Sequence, residues 1–158
     1  MKKATFLLFC ILAVYFSGFA QDSELYSFLK SIPGIEIQKR DTSAYKEFYI
    51  IMFPQPVNHK NLSGPTFKQR IFIGHAGFDR PTVMVTEGYG ADYVSPMTVD
   101  EPTSLLNANQ LYVEHRYFGP STPTQVDWKY LNAEQDANDY HNIRKTFGQI
   151  YKGKWVAT

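Results

Sequence analysis

The stretch that decides the fold is residues 110–158, QLYVEHRYFGPSTPTQVDWKYLNAEQDANDYHNIRKTFGQIYKGKWVAT. It reads as an apolar strand (QLYVEH), a loop rich in arginine, aromatic residues and glycine (RYFGPSTP), a capped helix over 132–147 and the opening of another strand (KWVAT). This succession predicts a parallel crossover unit, which needs a sheet on which both strands can dock. A buried strand that stopped at Thr158 would leave ladder groups unpaired, so we expect the natural protein to continue past this residue.

The helix over 132–147 is the clearest element of the chain. Asn132 is expected to cap its first turn, Gln135 to reach back as a capping-box partner, and Gly148 to end it. The face predicted to dock on the sheet consists of five residues at helical spacing: Ala133, Ala137, Tyr140, Ile143 and Phe147.

The sequence before residue 110 predicts further strands of this sheet. A short helix capped by Ser23 precedes two β-rich runs, 46–53 and 67–75, whose simplest pairing is a hairpin. A continuous apolar run at 81–86 suits a strand buried on both faces, and residues 91–109 read as a polar loop. The predicted fold class is therefore α/β, with a mostly parallel sheet whose first strands are antiparallel.

Composition and charge exclude several classes of protein. Of the 158 residues, 44% are hydrophobic and 16% aromatic, which is typical of a globular chain rather than a disordered one. The formal net charge is +1, so the chain lacks the basic surface that nucleic acid or an anionic membrane would require. Nucleic acid is therefore not an expected partner.

The first twenty residues predict a secretory signal peptide of bacterial type. Two lysines begin it, an apolar run covers 4–16, and small residues in 17–20 (SGFA) predict cleavage after Ala20. The alternative is a membrane anchor, but the apolar run is shorter than the roughly 20 residues that span a bilayer. We expect a secreted or periplasmic mature chain, residues 21–158, without a stable membrane anchor.

The cysteine and histidine content limits the chemistry of the mature chain. Cys10 is the only cysteine and would leave with the signal peptide. Disulfides, a cysteine nucleophile and thiolate metal sites are thereby excluded, so stability must come from a packed core. His59, His75 and His141 lack the spacing of a motif such as HExxH, and no metal or other cofactor is predicted.

Three segments are expected to meet at the carboxyl ends of the parallel strands, where α/β sheets bind ligands. They are the glycine loop at 87–90, residues 115–120 and the helix start at 134–135. Glycines directly after a buried strand permit the close backbone approach of an oxyanion or phosphate loop, and they suit an ordinary tight turn equally. No GxGxxG or P-loop motif supports a nucleotide site. The neighbouring charges of Glu114 and Arg116 predict a buried ion-pair network that fixes the loop.

Three motifs in succession are similar to those of a known family: EHRYFGPS at 114–121, YLNAEQDANDY at 130–140 and GKWVAT at 153–158. They resemble the central part of the secreted proline-specific tripeptidyl aminopeptidases, serine peptidase family thirty-seven. The first motif also resembles the EHRYYG segment of the related Pro-X carboxypeptidase and dipeptidyl peptidase group. The resemblance implies an α/β-hydrolase fold, a Ser-His-Asp triad that forms an acyl-enzyme, no cofactor, and peptide substrates with a free N-terminus.

The resemblance also implies where the chemistry lies. In this family the WVAT-like strand leads into a G-x-S-x-G nucleophile elbow, and the triad follows in the order Ser, Asp, His. All three catalytic residues are then expected beyond Thr158, so residues 21–158 would be the N-terminal part of a peptidase domain and inactive alone. The glycine loop would supply an oxyanion donor from the backbone of Gly88 or Tyr89.

An aminopeptidase of this kind also needs a carboxylate that binds the α-ammonium group of the substrate. Glu134, aided by Gln135, is the first candidate, and Glu114 and Glu87 are alternatives. The plainer interpretation is that Glu134 is an ordinary first-turn charge and Gln135 a capping residue.

Tyr117 and Phe118 are candidates for a proline-accepting pocket, although aromatic residues in such loops most often serve packing alone. Two further functions remain compatible with the sequence: a non-catalytic secreted binding or structural protein with a similar N-terminal fold, and another α/β-hydrolase such as an esterase. A Gly-x-Ser-x-Gly motif directly after Thr158 would favour the peptidase over the non-catalytic protein.

Overall fold

Residues 22–158 are described by the computed structural model, and they contain one mixed sheet of six strands. The signal peptide expected over residues 1–20 lies outside this described part. In chain order the main elements are α1 (Glu24–Ser31), β1 (Glu36–Arg40), β2 (Glu47–Pro56), β3 (Thr66–His75), β4 (Thr82–Thr86), α2 (Glu101–Leu106), β5 (Asn109–Val113), α3 (Ala133–Phe147) and β6 (Trp155–Ala157). No helix of the described residues is long and apolar enough to cross a membrane.

The sheet has the order β1-β2-β3-β5-β4-β6. Neighbours from β1 to β5 run antiparallel, whereas β4 runs parallel to both β5 and β6. The predicted hairpin is present as β2 and β3, paired from Glu47 opposite His75 to Pro56 opposite Thr66. The predicted crossover is also present, because the chain passes from β5 through α3 to β6. The observed architecture is thus an α/β sheet with antiparallel first strands. Within residues 22–158 three of the five strand pairs are antiparallel, so the sheet is mixed rather than mostly parallel as predicted.

β2 continues through Pro54 and Pro56, beyond the predicted end of the run at 46–53. Proline lacks the N–H that an interior strand donates to its neighbour, which is why a strand end was expected there. The ladder with β1 ends where Met52 pairs with Glu36, the first residue of β1, so neither proline lies opposite a residue of β1. On the side of β2 that faces β1, the missing N–H groups of Pro54 and Pro56 therefore remove no ladder bond.

The two faces of the sheet are covered by different parts of the chain. α1 and α3 contribute Leu29 and Ile143 to the core on one face. The connection between β4 and β5 contributes Ala91, Val94 and Ala108 to the core on the other face. The connections that follow β4 and β5 therefore lie on opposite sides of the sheet.

α3 docks through a face that agrees with the predicted one at Ile143 and Phe147 but differs in the first half of the helix. Ala133 and Ala137 are exposed, and Tyr140 is half-buried. The buried residues of α3 lie four apart along the helix: Gln135, Asp139, Ile143 and Phe147. The prediction placed only apolar residues inside, but the first half of this face meets the buried guanidinium of Arg116 and carries polar side chains for that reason.

Only one of the two hydrogen bonds of the predicted capping box is present at the start of α3. Asn132 accepts a hydrogen bond from the N–H of Gln135 (3.1 Å), as expected. The Gln135 side chain does not return the bond, because its Oε1 accepts from the N–H of His59 instead (2.8 Å). Gly148 is the C-cap residue as predicted, with an ordinary right-handed backbone conformation.

Two elements, β1 and α2, were not predicted. β1 (EIQKR) is mostly polar and exposed, because it is an edge strand that covers little of the core. α2 lies within 91–109, which was expected to be a loop, and its six residues are too few to show an apolar period. β5 also begins at Asn109, one residue before the predicted run QLYVEH, because Asn109 is buried and its side-chain oxygen accepts the N–H groups of Ala76 and Gly77.

His75, at the end of β3, makes stability depend on pH. Its ring packs 4.6 Å from that of Phe78, and its Nδ1 lies 3.2 Å from the hydroxyl of Tyr151. Burial lowers the pKa of His75, with Glu47 opposing this shift and Lys46 adding to it. The unfolded chain therefore binds a proton more readily than the folded chain. The contribution of His75 is full above its unfolded pKa of about 6.5 and is lost as the pH falls through that value.

We expect His75→Phe to flatten the pH dependence of unfolding between about pH 7 and pH 5. One proton changes the free energy of unfolding by at most about 1.4 kcal/mol per pH unit, which limits the size of the effect. Urea unfolding at several pH values measures the slope in each variant, with His141→Phe at an exposed position as the control. Equal slopes in wild type and His75→Phe would contradict the prediction.

Candidate functional site

The carboxyl ends of β4 and β5 form the candidate site. These strands are parallel neighbours, and the connections that follow them pack on opposite faces of the sheet. Such a switch point opens a crevice beyond the strand ends, where open α/β sheets bind ligands. Residues 87–91 and 114–121 leave the two strands here, and the N–H of His115 donates to the carbonyl of Tyr89 (3.2 Å). The first turn of α3 and the end of β6 reach the same edge.

The loop after β4 offers unpaired backbone donors. The N–H of Gly88 donates to Oε1 of Glu87 (2.9 Å), whereas the N–H groups of Tyr89 and Gly90 donate to no other residue of the described part. The second carboxylate oxygen of Glu87 accepts from the hydroxyl of Tyr93. Of the two oxyanion donors predicted from the sequence, the N–H of Tyr89 is available in this structure and that of Gly88 is engaged.

Glu114, directly after β5, is a fully buried carboxylate. Its Oε1 accepts from the N–H of Ala91 (3.0 Å) and from the guanidinium of Arg70, and its Oε2 accepts from the hydroxyl of Ser121 (2.6 Å). These contacts join the loop after β4, the turn after β5 and strand β3. An ion-pair network therefore fixes this loop, with Arg70 rather than Arg116 as the partner of Glu114.

Arg116 is the second fully buried charge at this edge. Its Nε and one Nη2 proton bond to the two oxygens of Asp139 (2.7 and 2.9 Å). Its other three donors bond to main-chain carbonyls, those of Pro56, Val57 and Tyr130 at 3.2, 3.0 and 2.9 Å. Asp139 also lies 2.7 Å from Nε2 of His59. All five guanidinium donors are thus used, and they tie the loop after β5 to α3 and to the β2–β3 loop.

The first turn of α3 presents one carboxylate to solvent. Glu134 is exposed, and the ammonium group of Lys60 lies 2.8 Å from its Oε1. Gln135 is buried and bonds to His59, so its side chain fastens the β2–β3 loop to the helix. The contact of Lys60 with α3 was not predicted, because it joins residues far apart in the chain and no local pattern indicates it.

Asp136 belongs to the same turn, and no site role was predicted for it. Its carboxylate lies 3.5 Å from Nε2 of His115. Burial raises the pKa of Asp136, and the nearby His115 partly offsets this shift. The pair adds a titratable contact between α3 and the loop after β5, and only the folded arrangement reveals it.

The two predicted pocket aromatics have different surroundings. Tyr117 is buried, its hydroxyl donates to the carbonyl of Asp127 (2.9 Å), and its backbone is left-handed at φ 69°. Phe118 is half-buried and packs edge-to-face against the rings of Tyr89 (5.4 Å) and His115 (5.5 Å). Tyr89 is 70% exposed. Phe118 and Tyr89 thus form an aromatic surface at the crevice, whereas Tyr117 lies behind it.

A cleft of about 440 Å³ lies between the β2–β3 loop and residues 125–130. Its polar lining includes Asn58, Asn61, Gln125 and Asp127. Within residues 22–158, no group of three or more His, Cys, Asp or Glu side chains is arranged to hold a metal ion.

Comparison with known proteins identifies relatives over most of the chain. A family model described as PS-10 peptidase S37 matches residues 20–158. A protein from Streptomyces mobaraensis, a prolyl tri/tetrapeptidyl aminopeptidase, is 33% identical over 140 residues. This alignment covers 88% of the present chain and 29% of the relative, so the chain spans less than a third of that protein.

Proposed function

The chain belongs to the S37 peptidase family, and from this premise we propose that the complete protein is a secreted serine-type exopeptidase. It releases proline-containing tri- or tetrapeptides from substrates with a free N-terminus. The family and the aminopeptidase relative support a peptidase function. The finer substrate assignment rests on the name of the relative and on the geometry at the carboxyl edge of the sheet.

The proposed mechanism uses an α/β-hydrolase arrangement. Its support is the pairing of β4 with β6, in which the carbonyl of Thr158 accepts from the N–H (2.9 Å) and the hydroxyl (2.7 Å) of Thr86. A serine that follows β6 would stand beside the loop after β4. It attacks the scissile carbonyl, an acyl-enzyme forms as the amine product leaves, and water then hydrolyses the ester. In this proposal the triad lies outside residues 1–158, and the chain alone does not cleave peptides.

The loop after β4 has a defined part in this mechanism. The unpaired N–H of Tyr89 donates to the oxyanion that develops on the substrate carbonyl, with a second donor from the residue after the nucleophile. Phe118 and the ring of Tyr89 offer an apolar surface for a proline ring at the same crevice.

The observation that carries the aminopeptidase assignment is the ion pair between Glu134 and Lys60. An exposed carboxylate in the first turn of α3 already binds an ammonium group in this structure. The α-ammonium of a peptide would form the same charge-assisted hydrogen bond when it displaces Lys60. Glu114 is fully buried, Glu87 accepts from the N–H of Gly88 and the hydroxyl of Tyr93, and the amide of Gln135 carries no charge, so Glu134 is the proposed anchor.

We expect Glu134→Gln in the complete protein to lower kcat/KM for free-amino substrates by about tenfold to a hundredfold, because the amide oxygen lacks the negative charge that pairs with the ammonium group. Hydrolysis of the same peptides with a blocked N-terminus should change little. Initial rates with paired free and acetylated chromogenic peptides measure the difference.

The structure offers a matched control for this experiment. Glu36 in β1 is also an exposed carboxylate paired with a lysine, Lys68, and Glu36→Gln should leave both substrates unaffected. Lys60→Gln should lower KM for free-amino peptides, because the competing ammonium is removed. Equal losses on free and blocked substrates with Glu134→Gln would refute the anchoring role.

A further inference from the structure

We infer that Glu114 is a positioning residue that fixes the loop after β4, residues 87–91, so that the N–H of Tyr89 points into the crevice. This inference rests on the proposed function, because it gives Glu114 a part in presenting the oxyanion donor. It differs from the anchoring role considered for Glu114 on sequence grounds, since the carboxylate acts on the loop and does not touch the substrate.

The contacts of Glu114 converge on this loop from three directions. Its Oε1 receives the N–H of Ala91, the residue that closes the loop, at 3.0 Å. Arg70, in β3, donates to the same oxygen, and the hydroxyl of Ser121 donates to Oε2 at 2.6 Å. Ser121 in turn accepts from the N–H of Arg70 (2.9 Å), which links the turn after β5 directly to β3. The loop is therefore held to two rigid strands through one carboxylate.

Glu114 is buried, and the residues around it pair its charge and leave space for its two oxygens. Its residue exposure is 0%, and a buried charge is tolerated only when it is paired and hydrogen-bonded. The backbone around it leaves room for the two oxygens. Gly119 has a left-handed φ of 46°, and a Cβ there would stand 3.2 Å from Oε1 of Glu114. A side chain at residue 119 would press on the atom that holds Ala91.

The N–H of Ala91, which Glu114 accepts, lies close in the chain to the proposed oxyanion donor. Ala91 follows Tyr89 and Gly90, whose N–H groups are the unpaired donors of the loop, and the carbonyl of Tyr89 accepts from His115 (3.2 Å). Residue 115 thus holds the segment that carries the donors at the carbonyl of Tyr89, and residue 114 holds it at the N–H of Ala91. An oxyanion donor works only when it is preorganised, and small displacements cost large factors in rate.

Glu114→Gln tests the inference, because the amide group keeps the shape of the carboxylate but places N–H donors against the donors of Ala91 or Ser121. In the complete protein we expect kcat to fall by roughly tenfold to a hundredfold on free and blocked peptides alike, with KM little changed. Affinity for a peptide boronate, which forms a tetrahedral adduct with a serine nucleophile, should fall in parallel with kcat. Hydrogen exchange of residues 87–91 should become faster.

Two further variants make the test specific. Asp92→Asn removes the other carboxylate that contacts Arg70 (2.6 Å), on the solvent side, and should leave kcat and boronate affinity near wild-type values. Ser121→Ala removes one contact of Glu114 and should give a smaller fall in kcat with the same KM. If Glu114→Gln does not fold, unchanged kcat and unchanged exchange in Ser121→Ala overturn the inference.

The outcomes separate this inference from the proposed function. A folded Glu114→Gln protein with wild-type kcat, boronate affinity and loop exchange overturns the positioning role while peptide hydrolysis by the wild type still supports the peptidase. A rise in KM confined to free-amino peptides overturns it in favour of anchoring. If the wild type hydrolyses no peptide, the proposed function fails. If the hydrogen exchange of residues 87–91 is also unchanged in Glu114→Gln, the positioning role of Glu114 fails with it.

Discussion

Arg116→Leu is expected to lower the free energy of unfolding by about 3–5 kcal/mol, the largest stability loss that we predict. Leucine removes all five donors of a fully buried guanidinium. The carboxylate of Asp139 then remains buried with the ring of His59 as its remaining side-chain contact among the described residues, and three main-chain carbonyls lose their bonds. Leaving a buried charge uncompensated costs more than losing the attraction itself.

Urea unfolding of the purified protein, followed by circular dichroism, measures this loss. Arg116→Lys should recover only part of it, because an ammonium group has three donors and cannot reproduce the planar fork. The double variant Arg116→Leu/Asp139→Leu should be more stable than Arg116→Leu alone, because both charges are then absent. Lys68→Gln, which breaks the exposed ion pair with Glu36, is the control and should change the unfolding midpoint little. A midpoint for Arg116→Leu equal to that of Lys68→Gln would contradict the prediction.

Gly153→Ala is expected to be the second most damaging change, with a loss of about 1–3 kcal/mol or more from overpacking. A Cβ at this position would collide with the carbonyl group of Arg80 and lie 2.8 Å from the nitrogen of Pro81. Both neighbours are backbone, so neither can move without disturbing β4. The adjoining bond from the N–H of Thr82 to the carbonyl of Lys154 (2.8 Å) shows how closely the two segments run.

Gly88→Ala is the matched comparison for Gly153→Ala in thermal unfolding. A Cβ at Gly88 meets no heavy atom within 4 Å, so its unfolding midpoint should stay near that of wild type. In the complete protein Gly153→Ala should also reduce kcat, because a shift of β6 moves the residue that we propose follows it. Equal stability of the two alanine variants would show that the segment at Arg80 can relax without cost.

Local patterns predicted those parts of the fold that local interactions determine. The cap of α3 at Asn132 and the hairpin of β2 and β3 depend on neighbouring residues and on alternation, and both are present. β1 was missed because an edge strand with one half-buried apolar residue, Ile37, carries no alternating signal. The face of α3 was predicted correctly at Ile143 and Phe147 but not in the first half of the helix, because the burial of Asp139 depends on Arg116, which belongs to a different element.

The sequence predicted which segments form the candidate site but not the ion pairs that join them. The glycine loop and the EHR segment were expected at the same edge, and the structure brings them into contact through His115 and Tyr89. The partner of Glu114 could not be predicted, because Arg70 lies on a strand that is distant in sequence and adjacent only in the sheet. The pairing of Lys60 with Glu134 is of the same kind.

The five bonds of Arg116 also bear on the order in which the molecule folds. They reach Asp139, 23 residues later in the chain, and Pro56, 60 residues earlier. Contacts between distant residues form only after the intervening loops have closed, at a cost in chain entropy. The β2–β3 hairpin and α3 can each start to form through local interactions. The guanidinium of Arg116 can bond to its acceptors only after both elements have docked. We therefore expect the edge of the sheet at the carboxyl ends of β4 and β5 to be completed late in folding, with Arg116 contributing more to slow unfolding than to fast folding.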